Sequence, residues 1–330
     1  MVAAHCSEPR AVSVPCCEEK LLSEDGAVPI RVVSWRRQRT LAKPIKLTAR
    51  GLLYGRNVNL MLTPALPNTG RIFRRADLPD TPLIPAVAEQ VSSTQRRTVL
   101  GTAPAHVELV EHVLAALAAF MVDNCILEID RPELPGWDGS VLPLARALLE
   151  TNVAEQEAWI PVITPQWPLI IRYQQASVAI YPNKRPELHV NYFLDYGHWA
   201  AIAPQRFGCC VTPQTFINSI AGSRTFLLLE EVQALRRQGV GIETGPEQVL
   251  VFTPRGVLAN HLRWADEPAR HKTLDVLGDL ALVGLPLAGQ VFACRSGHAL
   301  NVALAKCLRR SLISSGILNT NNHLCSSFAA

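Results

Sequence analysis

Residues 271–280, HKTLDVLGDL, combine a helix-like apolar pattern with three titratable side chains at regular spacing. His271, Asp275 and Asp279 recur every four residues, so on a helix they stay within about 80° of one another. A histidine and an aspartate one turn apart can bind the same metal ion, although such a stripe is also typical of a solvent-exposed helix face. Two ligands do not form a site, so further ligands must come from elsewhere in the chain.

Glu111 and His112 form a second group of titratable residues. They interrupt the apolar segment VELVEHVLAALAAFMV at 107–122, where a polar side chain is costly to bury without a partner. His112 could be a hydrogen-bonded core residue in such a helix. If it joins His271 and Asp275 instead, the three ligands leave a fourth position for water, which is the pattern of a catalytic zinc site.

Hydrolysis at such a metal also needs a general base beside the ion and a general acid for the leaving group. Glu111 precedes the candidate ligand His112 directly and is the candidate base. The segment CRSGHALN at 294–301 places His298 after a glycine, between a predicted strand and a predicted helix. His298 could protonate a leaving amine there, or it could merely cap the helix.

The composition limits the class of protein. The 330 residues are 48% hydrophobic and 18% charged, enough for one large globular domain or two ordinary ones. A net charge of +4 without a dense Lys/Arg run argues against nucleic-acid binding. Nine cysteines without a CxxC motif indicate a reducing compartment, and the longest apolar runs are too short to span a bilayer. We therefore predict a cytoplasmic protein without a transmembrane segment.

Apolar periodicity predicts strands and helices that alternate in two halves of the chain, which favours α+β or α/β layers. Residues 1–34 are predicted to be a loose extension, and WIPVITPQWP at 159–168 is the predicted linker. No internal repeat of identical residues is evident. The predicted strands lie at 58–64, 125–131, 169–173, 177–182, 187–196, 248–252 and 289–296, and the predicted helices at 107–122, 141–150, 229–239, 271–280 and 299–310.

Four motifs resemble the UDP-3-O-acyl-N-acetylglucosamine deacetylase family, the zinc amidases of lipid A biosynthesis, in their order and approximate spacing. The resemblance begins at RQRTLAKPIKLTARGL (37–52) and extends to about residue 310. It implies hydrolysis of the N-acetyl group of a UDP-linked acylated amino sugar, giving acetate and the free amine. The motifs are EHVLAALAAFMVDNCILEIDRPELPGWDGS (111–140), SRTF (223–226), HKTLDVLGDL (271–280) and SGHALN (296–301).

The resemblance implies the roles of the metal ligands and of the acid and base. His112, His271 and Asp275 would bind one zinc ion, which iron could replace in the cell. Glu111 would be the general base. His298 would be the general acid.

Five further roles follow from the same resemblance. Asp279 would hold the orientation and charge of the general acid, and Thr225 would help to stabilise the oxyanion. Lys272 would meet the nucleotide phosphates and Phe226 would lie near the sugar. Leu52 would be a further substrate contact.

The family's fold implies α+β architecture with two similar sheet-plus-helix domains. The helices would be sandwiched between the two sheets, with the active site at the domain junction. We expect domains at 35–160 and 161–312, an inserted β-α-β unit at about 226–252 and a C-terminal tail at 313–330. The inserted unit would form a hydrophobic passage for the acyl chain, and its apolar side chains are Leu227, Leu228, Leu229, Val232, Leu235, Val249 and Val251.

Two departures from the family pattern leave alternatives open. Leu53, in the run GLLYG at 51–55, stands where the family usually has a histidine, and GIETGPEQ at 241–248 replaces glycine and Asp-Asn pairs. These changes admit a zinc-dependent deacylase of another acylated amino sugar. A catalytically silent paralogue is a third interpretation, which the retention of Glu111 and His298 opposes. The sequence predicts no particular oligomeric state.

Overall fold

The computed structural model describes residues 27–80, 82–197 and 201–319, and within them the chain forms eighteen β-strands and six α-helices. None of the helices in these residues is long and apolar enough to cross a membrane. The strands are β1 (Ile30–Leu41), β2 (Ile45–Arg50), β3 (Asn57–Pro64), β4 (Arg71–Arg75), β5 (Ile84–Pro85), β6 (Val91–Ser93), β7 (Val99–Leu100), β8 (Val107–Glu108), β9 (Cys125–Ile129), β10 (Val153–Pro165), β11 (Leu169–Tyr173), β12 (Ala176–Tyr181), β13 (Leu188–Leu194), β14 (Gln205–Cys210), β15 (Phe226–Leu228), β16 (Leu250–Thr253), β17 (Gly256–Val257) and β18 (Gly289–Cys294). The helices are α1 (Val110–Ala119), α2 (Leu142–Thr151), α3 (Pro213–Ser219), α4 (Leu229–Arg237), α5 (Glu267–Leu280) and α6 (His298–Ser314).

The first large sheet has five strands in the spatial order β2-β3-β9-β4-β5. Strands β4 and β9 are parallel, and the other neighbours are antiparallel. Val58, Leu60 and Leu62 of β3 are fully buried and alternate with more exposed residues, as expected for a strand with one face on the core. Helix α2 contacts β2, and α1 contacts α2.

The second large sheet repeats this topology in the order β11-β12-β18-β13-β14. Its one parallel pair, β13 and β18, occupies the place of β4 and β9 in the first sheet. Helix α5 lies against β13 and β14, and α6 lies against β11 and β12. In both sheets the last strand in the chain is the central one, so the two halves share one strand order. The predicted α+β class with two similar sheets is confirmed.

Helices from the two halves pack directly against each other, since α1 contacts α5 and α5 contacts α6. Gly278 permits the close approach of α5 to α1. A Cβ atom at Gly278 would lie only 1.9 Å from the carbonyl oxygen of Glu111. The helix that carries 271–280 therefore meets the helix that carries Glu111 and His112 at van der Waals distance.

Strands β15 and β16 and helix α4 form the predicted β-α-β unit, in which the two strands are parallel. Strand β17 extends it by antiparallel pairing with β16. Every residue of α4 is at least partly exposed to solvent. The tip of the unit is bound to the first half, because Gly241 N donates to Leu53 O at 2.9 Å and Thr244 Oγ1 donates to Leu52 O at 2.6 Å.

A two-stranded antiparallel ribbon of β1 and β10 corrects two predictions. The register runs from Ile30 opposite Pro165 to Leu41 opposite Val153. Residues 30–34 are thus strand rather than loose extension, and residues 159–165 are strand rather than linker. Prolines are tolerated in β10 because one edge of each strand in a two-stranded ribbon needs no ladder partner. Residues 1–26 of the predicted extension lie outside the described residues.

The start of α1 and the end of α6 also differ from the predictions. Residues 107–108 belong to β8, and Leu109 adopts a left-handed conformation with φ of 62°, so α1 begins only at residue 110. The predicted tail is wrong at its start, because α6 continues to residue 314 and Ile317 and Leu318 are buried. Residues 320–330 lie outside the described residues. Strand β14 and helix α3 were not predicted.

Candidate active site

The structure brings together the three side chains that the sequence predicts as metal ligands. His112, His271 and Asp275 offer ligand atoms within 4.8 Å of one another. The Nε2 atoms of His112 and His271 lie 3.6 and 3.7 Å from Asp275 Oδ1. Two ligands at about 2.1 Å from a zinc ion with tetrahedral geometry are about 3.4 Å apart, so these distances suit one small ion.

Asp275 Oδ1 supports this fit independently. The atom is buried and has no hydrogen-bond partner among the described residues. A buried carboxylate oxygen without a partner is costly, and buried polar atoms normally have one. A cation held by the two histidines would satisfy this oxygen.

A backbone hydrogen bond fixes the tautomer and orientation of the His271 ring. His271 Nδ1 donates to the carbonyl oxygen of Ser223 at 3.3 Å, which leaves the lone pair on Nε2 facing the other ligands. Burial lowers the pKa of His271 to about 3, so the ring is neutral at physiological pH. A neutral imidazole is the form that binds metal ions.

Lys272 forms an ion pair with the ligand Asp275, because its Nζ donates to Asp275 Oδ2 at 2.6 Å. Burial alone would raise the pKa of Asp275, but the positive charge of Lys272 holds it well below its usual value. Burial alone would lower the pKa of Lys272, and the Asp275 carboxylate raises it instead. The aspartate is therefore ionised and the lysine is charged, with Tyr192 and Tyr196 also nearby.

Glu111 is a buried carboxyl group, with 2% of its surface exposed. Its Oε2 accepts a hydrogen bond from the backbone N–H of Thr98 at 3.0 Å. Burial raises the pKa of Glu111, while His298 and His112 act in the opposite direction. A raised pKa makes a carboxylate a stronger base, which suits Glu111 to accepting a proton beside the three candidate metal ligands.

His298 forms a hydrogen-bonded pair with Asp279, in which His298 Nδ1 donates to Asp279 Oδ2 at 2.9 Å. Burial alone would lower the pKa of His298, but Asp279 raises it to about 9, with smaller effects of Asp275 and Glu111. Its Nε2 lies 3.9 Å from Asp275 Oδ2. His298 is thus an imidazolium at neutral pH, beside the metal group.

Two residues of this network were not recognised in the sequence. Thr98 Oγ1 donates to Asp279 Oδ1 at 2.6 Å, and Asn301 Nδ2 donates to Asp279 Oδ2 at 2.9 Å. Asn301 lies three residues after His298, so its helical spacing was a usable signal. Thr98 precedes the short strand β7 and is 181 residues from Asp279 in the sequence. No local sequence pattern could therefore indicate their contact.

The aromatic ring of Phe226 lies against the metal group. Its centroid is 5.9 Å from that of His271, edge to face, and 6.2 Å from that of Tyr196. Thr225, the preceding residue, donates from Oγ1 to the carbonyl oxygen of Gly139 at 3.2 Å. The SRTF motif therefore places Phe226 beside His271.

Leu52 lies in the contact between the 51–54 loop and the tip of the β-α-β unit. Its side chain packs against Gly136, where an added Cβ would lie 2.5 Å from Leu52 Cγ. The Glu133 carboxylate holds this loop by accepting from the backbone N–H groups of Leu53 at 2.8 Å and Tyr54 at 3.0 Å. Leu52 is thus a buried packing residue of that contact.

Three candidate metal ligands leave a fourth position open, and a proton acceptor and a proton donor lie beside them. This fold and site define the class of metal-dependent hydrolases. Both helices that carry the ligands are fixed by their mutual contact in the middle of the molecule. The site is therefore built on rigid elements, as catalysis requires.

The chain belongs to the UDP-3-O-acyl N-acetylglycosamine deacetylase family, whose model matches residues 38–310. The family is metal-dependent, in agreement with the ligand group. The chain is 38% identical over 293 residues to the UDP-3-O-acyl-N-acetylglucosamine deacetylase of Thermosynechococcus vestitus, covering 89% of this chain and 100% of that protein. It is 34% identical to the enzyme of that name from Chlamydia caviae, over 82% of this chain and 96% of the relative. It is 36% identical to that of Trichormus variabilis, over 82% and 97% respectively.

Proposed function

We propose that the protein hydrolyses the N-acetyl group of UDP-3-O-(3-hydroxyacyl)-N-acetylglucosamine, giving acetate and the free amine, an early committed step of lipid A biosynthesis. The observation that carries this proposal is the convergence of His112, His271 and the unpartnered Asp275 Oδ1. Relatives named UDP-3-O-acyl-N-acetylglucosamine deacetylase, at 34–38% identity over most of the chain, support the choice of substrate. The reaction takes place in the cytoplasm.

Zinc is the ion that we assign to the three-residue group, with Fe²⁺ as a substitute in the cell. Two imidazoles and one carboxylate are a ligand set that suits Zn²⁺. When bound, the ion polarises the amide carbonyl and lowers the pKa of a water molecule.

The side chains of the protein transfer the protons. Glu111 accepts the proton of the attacking water, for which its burial and raised pKa prepare it. His298 donates the Nε2 proton to the departing amine, while Asp279 holds the ring through Nδ1. The Thr225 hydroxyl stabilises the oxyanion of the tetrahedral intermediate.

Substrate binding uses charge for the nucleotide and apolar surface for the acyl chain. Lys272 pairs with a phosphate and Phe226 contacts the sugar. Leu52, which is buried against Gly136, acts on substrate binding through the position of the 51–54 loop. The partly exposed face of α4 provides the passage for the acyl chain. The site lies at the junction of a first domain that ends near residue 160 and a second domain that begins near residue 161.

One observation favours a second candidate, a deacylase of another acylated amino sugar. Leu53, where the family usually has a histidine, lines a pocket of about 410 Å³ together with Tyr54 and Ile242. A less polar rim would change which sugar or acyl group fits. The retained Glu111 and His298 argue against a protein without catalytic activity.

Product analysis with the nucleotide-sugar substrate tests the proposal. We expect the zinc-loaded protein to release acetate and free amine in equal amounts, and chelation to abolish turnover. His271→Ala should lose both the metal and the activity, whereas His261→Ala, at an exposed histidine before α5, should keep both.

Glu111→Ala and His298→Ala should retain the metal but lower kcat by about 10²–10⁴-fold. Full turnover by His271→Ala without bound metal would refute the ligand assignment. Release of an amine only from a different amino sugar would favour the second candidate.

A further inference from the structure

A second group of potential ligands lies on the second large sheet, outside the active site. Ligand atoms of Glu187, His189 and Cys210 all lie within 4.8 Å of one another. His189 Nε2 and Glu187 Oε2 are 3.4 Å apart. This distance equals the separation of about 3.4 Å that two ligands of a tetrahedral zinc ion adopt.

The sheet fixes these three residues on one face. His189 of β13 lies directly opposite Cys210 of the neighbouring antiparallel strand β14. Glu187 is two residues before His189, and side chains two residues apart on an extended chain point to the same side. That side is the one opposite α5, because the buried residues of β13 are Val190, Tyr192 and Leu194, whose side chains point the other way.

Backbone contacts hold the ends of both strands in this arrangement. The carbonyl oxygen of Glu187 accepts from the N–H of Gly289 at 3.0 Å, which ties it to the central strand β18. The carbonyl oxygen of Cys210 accepts from Thr215 Oγ1 at 2.6 Å. The ligand positions are thus set by the sheet rather than by a loop, which favours a prearranged site.

We propose that Glu187, His189 and Cys210 form a second site for a zinc ion on the outer face of this sheet. A thiolate, an imidazole and a carboxylate are all zinc ligands, and water would complete the tetrahedron. The thiol proton of Cys210 passes to solvent when the ion binds. The thiolate favours zinc over magnesium or calcium, which select oxygen ligands.

The exposure of the group suits an exchangeable ion. The side chains of His189 and Glu187 are 35% and 43% exposed, so an ion can reach them without any opening of the fold. Strand β14 is at the edge of the sheet, and the ion would link it to β13 in addition to their backbone hydrogen bonds. Zinc should therefore stabilise this edge by mass action.

Cobalt substitution distinguishes this site from the active site. Metal-free protein is titrated with Co²⁺, and the near-ultraviolet charge-transfer absorption of a thiolate bound to cobalt is recorded. The active-site group of two histidines and one aspartate contains no thiolate, so only a cysteine site gives this band. We expect the band to appear in wild-type protein and in His271→Ala, with a second equivalent of bound metal in the wild type.

Cys210→Ser and His189→Gln should each lose the band, while deacetylation by the zinc-loaded protein stays unchanged. Cys209→Ser is the matched control, because this neighbouring cysteine lies opposite the buried Val190 on the other face, and the band should persist. A thiolate band of full intensity in Cys210→Ser would overturn the proposal. So would its absence from the wild type at millimolar Co²⁺.

Discussion

At the scale of single residues, the hydrogen bonds around the proposed acid converge on Asp279. This fully buried carboxylate accepts from Thr98 Oγ1 on one oxygen and from His298 Nδ1 and Asn301 Nδ2 on the other. Together these three donors occupy both oxygens of the carboxylate and fix its position beside His298. Its charge in turn stabilises the imidazolium of His298.

Replacement of Asp279 should shift the alkaline limb of the pH profile. Activity requires protonated His298, which exists below its pKa and is lost as the pH rises through it. Asp279→Asn removes the negative charge that raises the pKa to about 9, so the limb should move to lower pH by about one unit or more. The measurement is kcat/KM for deacetylation against pH.

Thr98→Val is the matched control for this prediction. It removes a hydrogen-bond donor to Asp279 but keeps the carboxylate charge. Without the Thr98 hydroxyl, that charge acts on His298 undiminished by this hydrogen bond. The alkaline limb should stay in place or move to higher pH. If both variants moved the limb downward equally, a general disturbance of the site would explain the shift better than the charge of Asp279.

The sequence predicted the residues with distinctive chemistry better than those that support them. His271, Asp275 and Asp279 share a helical stripe, and the structure keeps that stripe on one side of α5. Thr98 could not be predicted, because a threonine in a short irregular segment becomes informative only when a contact across the chain is known. The roles of the site residues remain predictions that the mutations above test.

At the scale of elements, the contact between α1 and α5 depends on the missing side chain of Gly278. Gly278→Ala would place a methyl group 1.9 Å from the Glu111 carbonyl oxygen and force the helices apart. In a helix without this contact, alanine would stabilise by about 1 kcal/mol relative to glycine. Overpacking costs about 1–3 kcal/mol or more, so we expect a net loss of stability in urea unfolding and weaker zinc binding.

Gly297→Ala serves as the control for the helix contact. An added Cβ there meets no atom within 4 Å, and the φ of −144° suits any residue. The change should alter the free energy of unfolding by no more than about 1 kcal/mol, the usual effect at a helix N-cap. Equal stability of Gly278→Ala and wild type would show that the helices separate at little cost.

The partly exposed apolar residues of the β-α-β unit should determine the preferred acyl length. Each methylene that leaves water contributes about 0.8 kcal/mol, or roughly four-fold in kcat/KM. Wild-type efficiency should therefore fall steeply as the acyl chain is shortened. Truncation of Leu228 and Leu235, both only partly buried, to alanine should flatten this dependence.

Leu149→Ala on α2 is the control for acyl length, since this leucine is 53% exposed and lies in the other half of the chain. Its dependence on acyl length should equal that of the wild type. Equal kcat/KM for short and long acyl chains in the wild type would mean that no passage operates. The substrate would then be a different acylated amino sugar.

Periodic elements were predicted well from the sequence, and elements that tertiary pairing creates were not. Strand β3 and helix α2 agree with their predicted ranges within one residue. Each element has one face on the core, so its apolar residues recur with the period of a strand or of a helix. Strand β10 contains two prolines and the exposed Trp159, so its local pattern resembles a linker. Only its partner β1, more than a hundred residues earlier in the chain, makes it a strand.

At the scale of the whole molecule, the β1–β10 ribbon connects distant parts of the fold. Asp123, just before β9, accepts from both terminal nitrogens of Arg36 at 2.6 and 2.8 Å and from the backbone N–H of Arg39 at 2.9 Å. At the other end of the ribbon, Ile163 N donates to Pro286 O at 2.9 Å. The ribbon therefore contacts both halves.

Loss of the Asp123 contacts should weaken the whole fold. Asp123→Ala removes three hydrogen bonds, two of them with a charged donor, and we expect it to lower the free energy of unfolding by about 2–3 kcal/mol. Urea denaturation followed by circular dichroism measures this. A loss below 0.5 kcal/mol, the ordinary range of surface changes, would contradict the role of the ribbon.

Glu155→Ala on the same ribbon provides the comparison. Glu155 pairs with Arg39 at 3.0 Å, but its side chain is 60% exposed. Exposed ion pairs contribute only about 0.2–1 kcal/mol, so this variant should remain close to wild type. A large loss in both variants would point to the ribbon strands themselves rather than to the Asp123 contacts.

The two large sheets have the same strand order, although no repeat is visible as identical residues. A shared strand order requires only the same alternation of buried and exposed positions, and many different apolar residues can occupy the buried positions. The sequence therefore predicted two similar domains only through its resemblance to a family. The strand order itself required the structure.

The long separation of β1 and β10 has a consequence during synthesis of the protein. The ribosome must add residues 42–152 after β1 before its partner strand begins to appear. At about 5–20 residues per second, β1 stays unpaired on the nascent chain for on the order of ten seconds. Unpaired strands can join other chains, and charged side chains discourage this. Strand β1 carries four arginines, Arg31, Arg36, Arg37 and Arg39, and their positive charge disfavours such pairing until the ribbon can close.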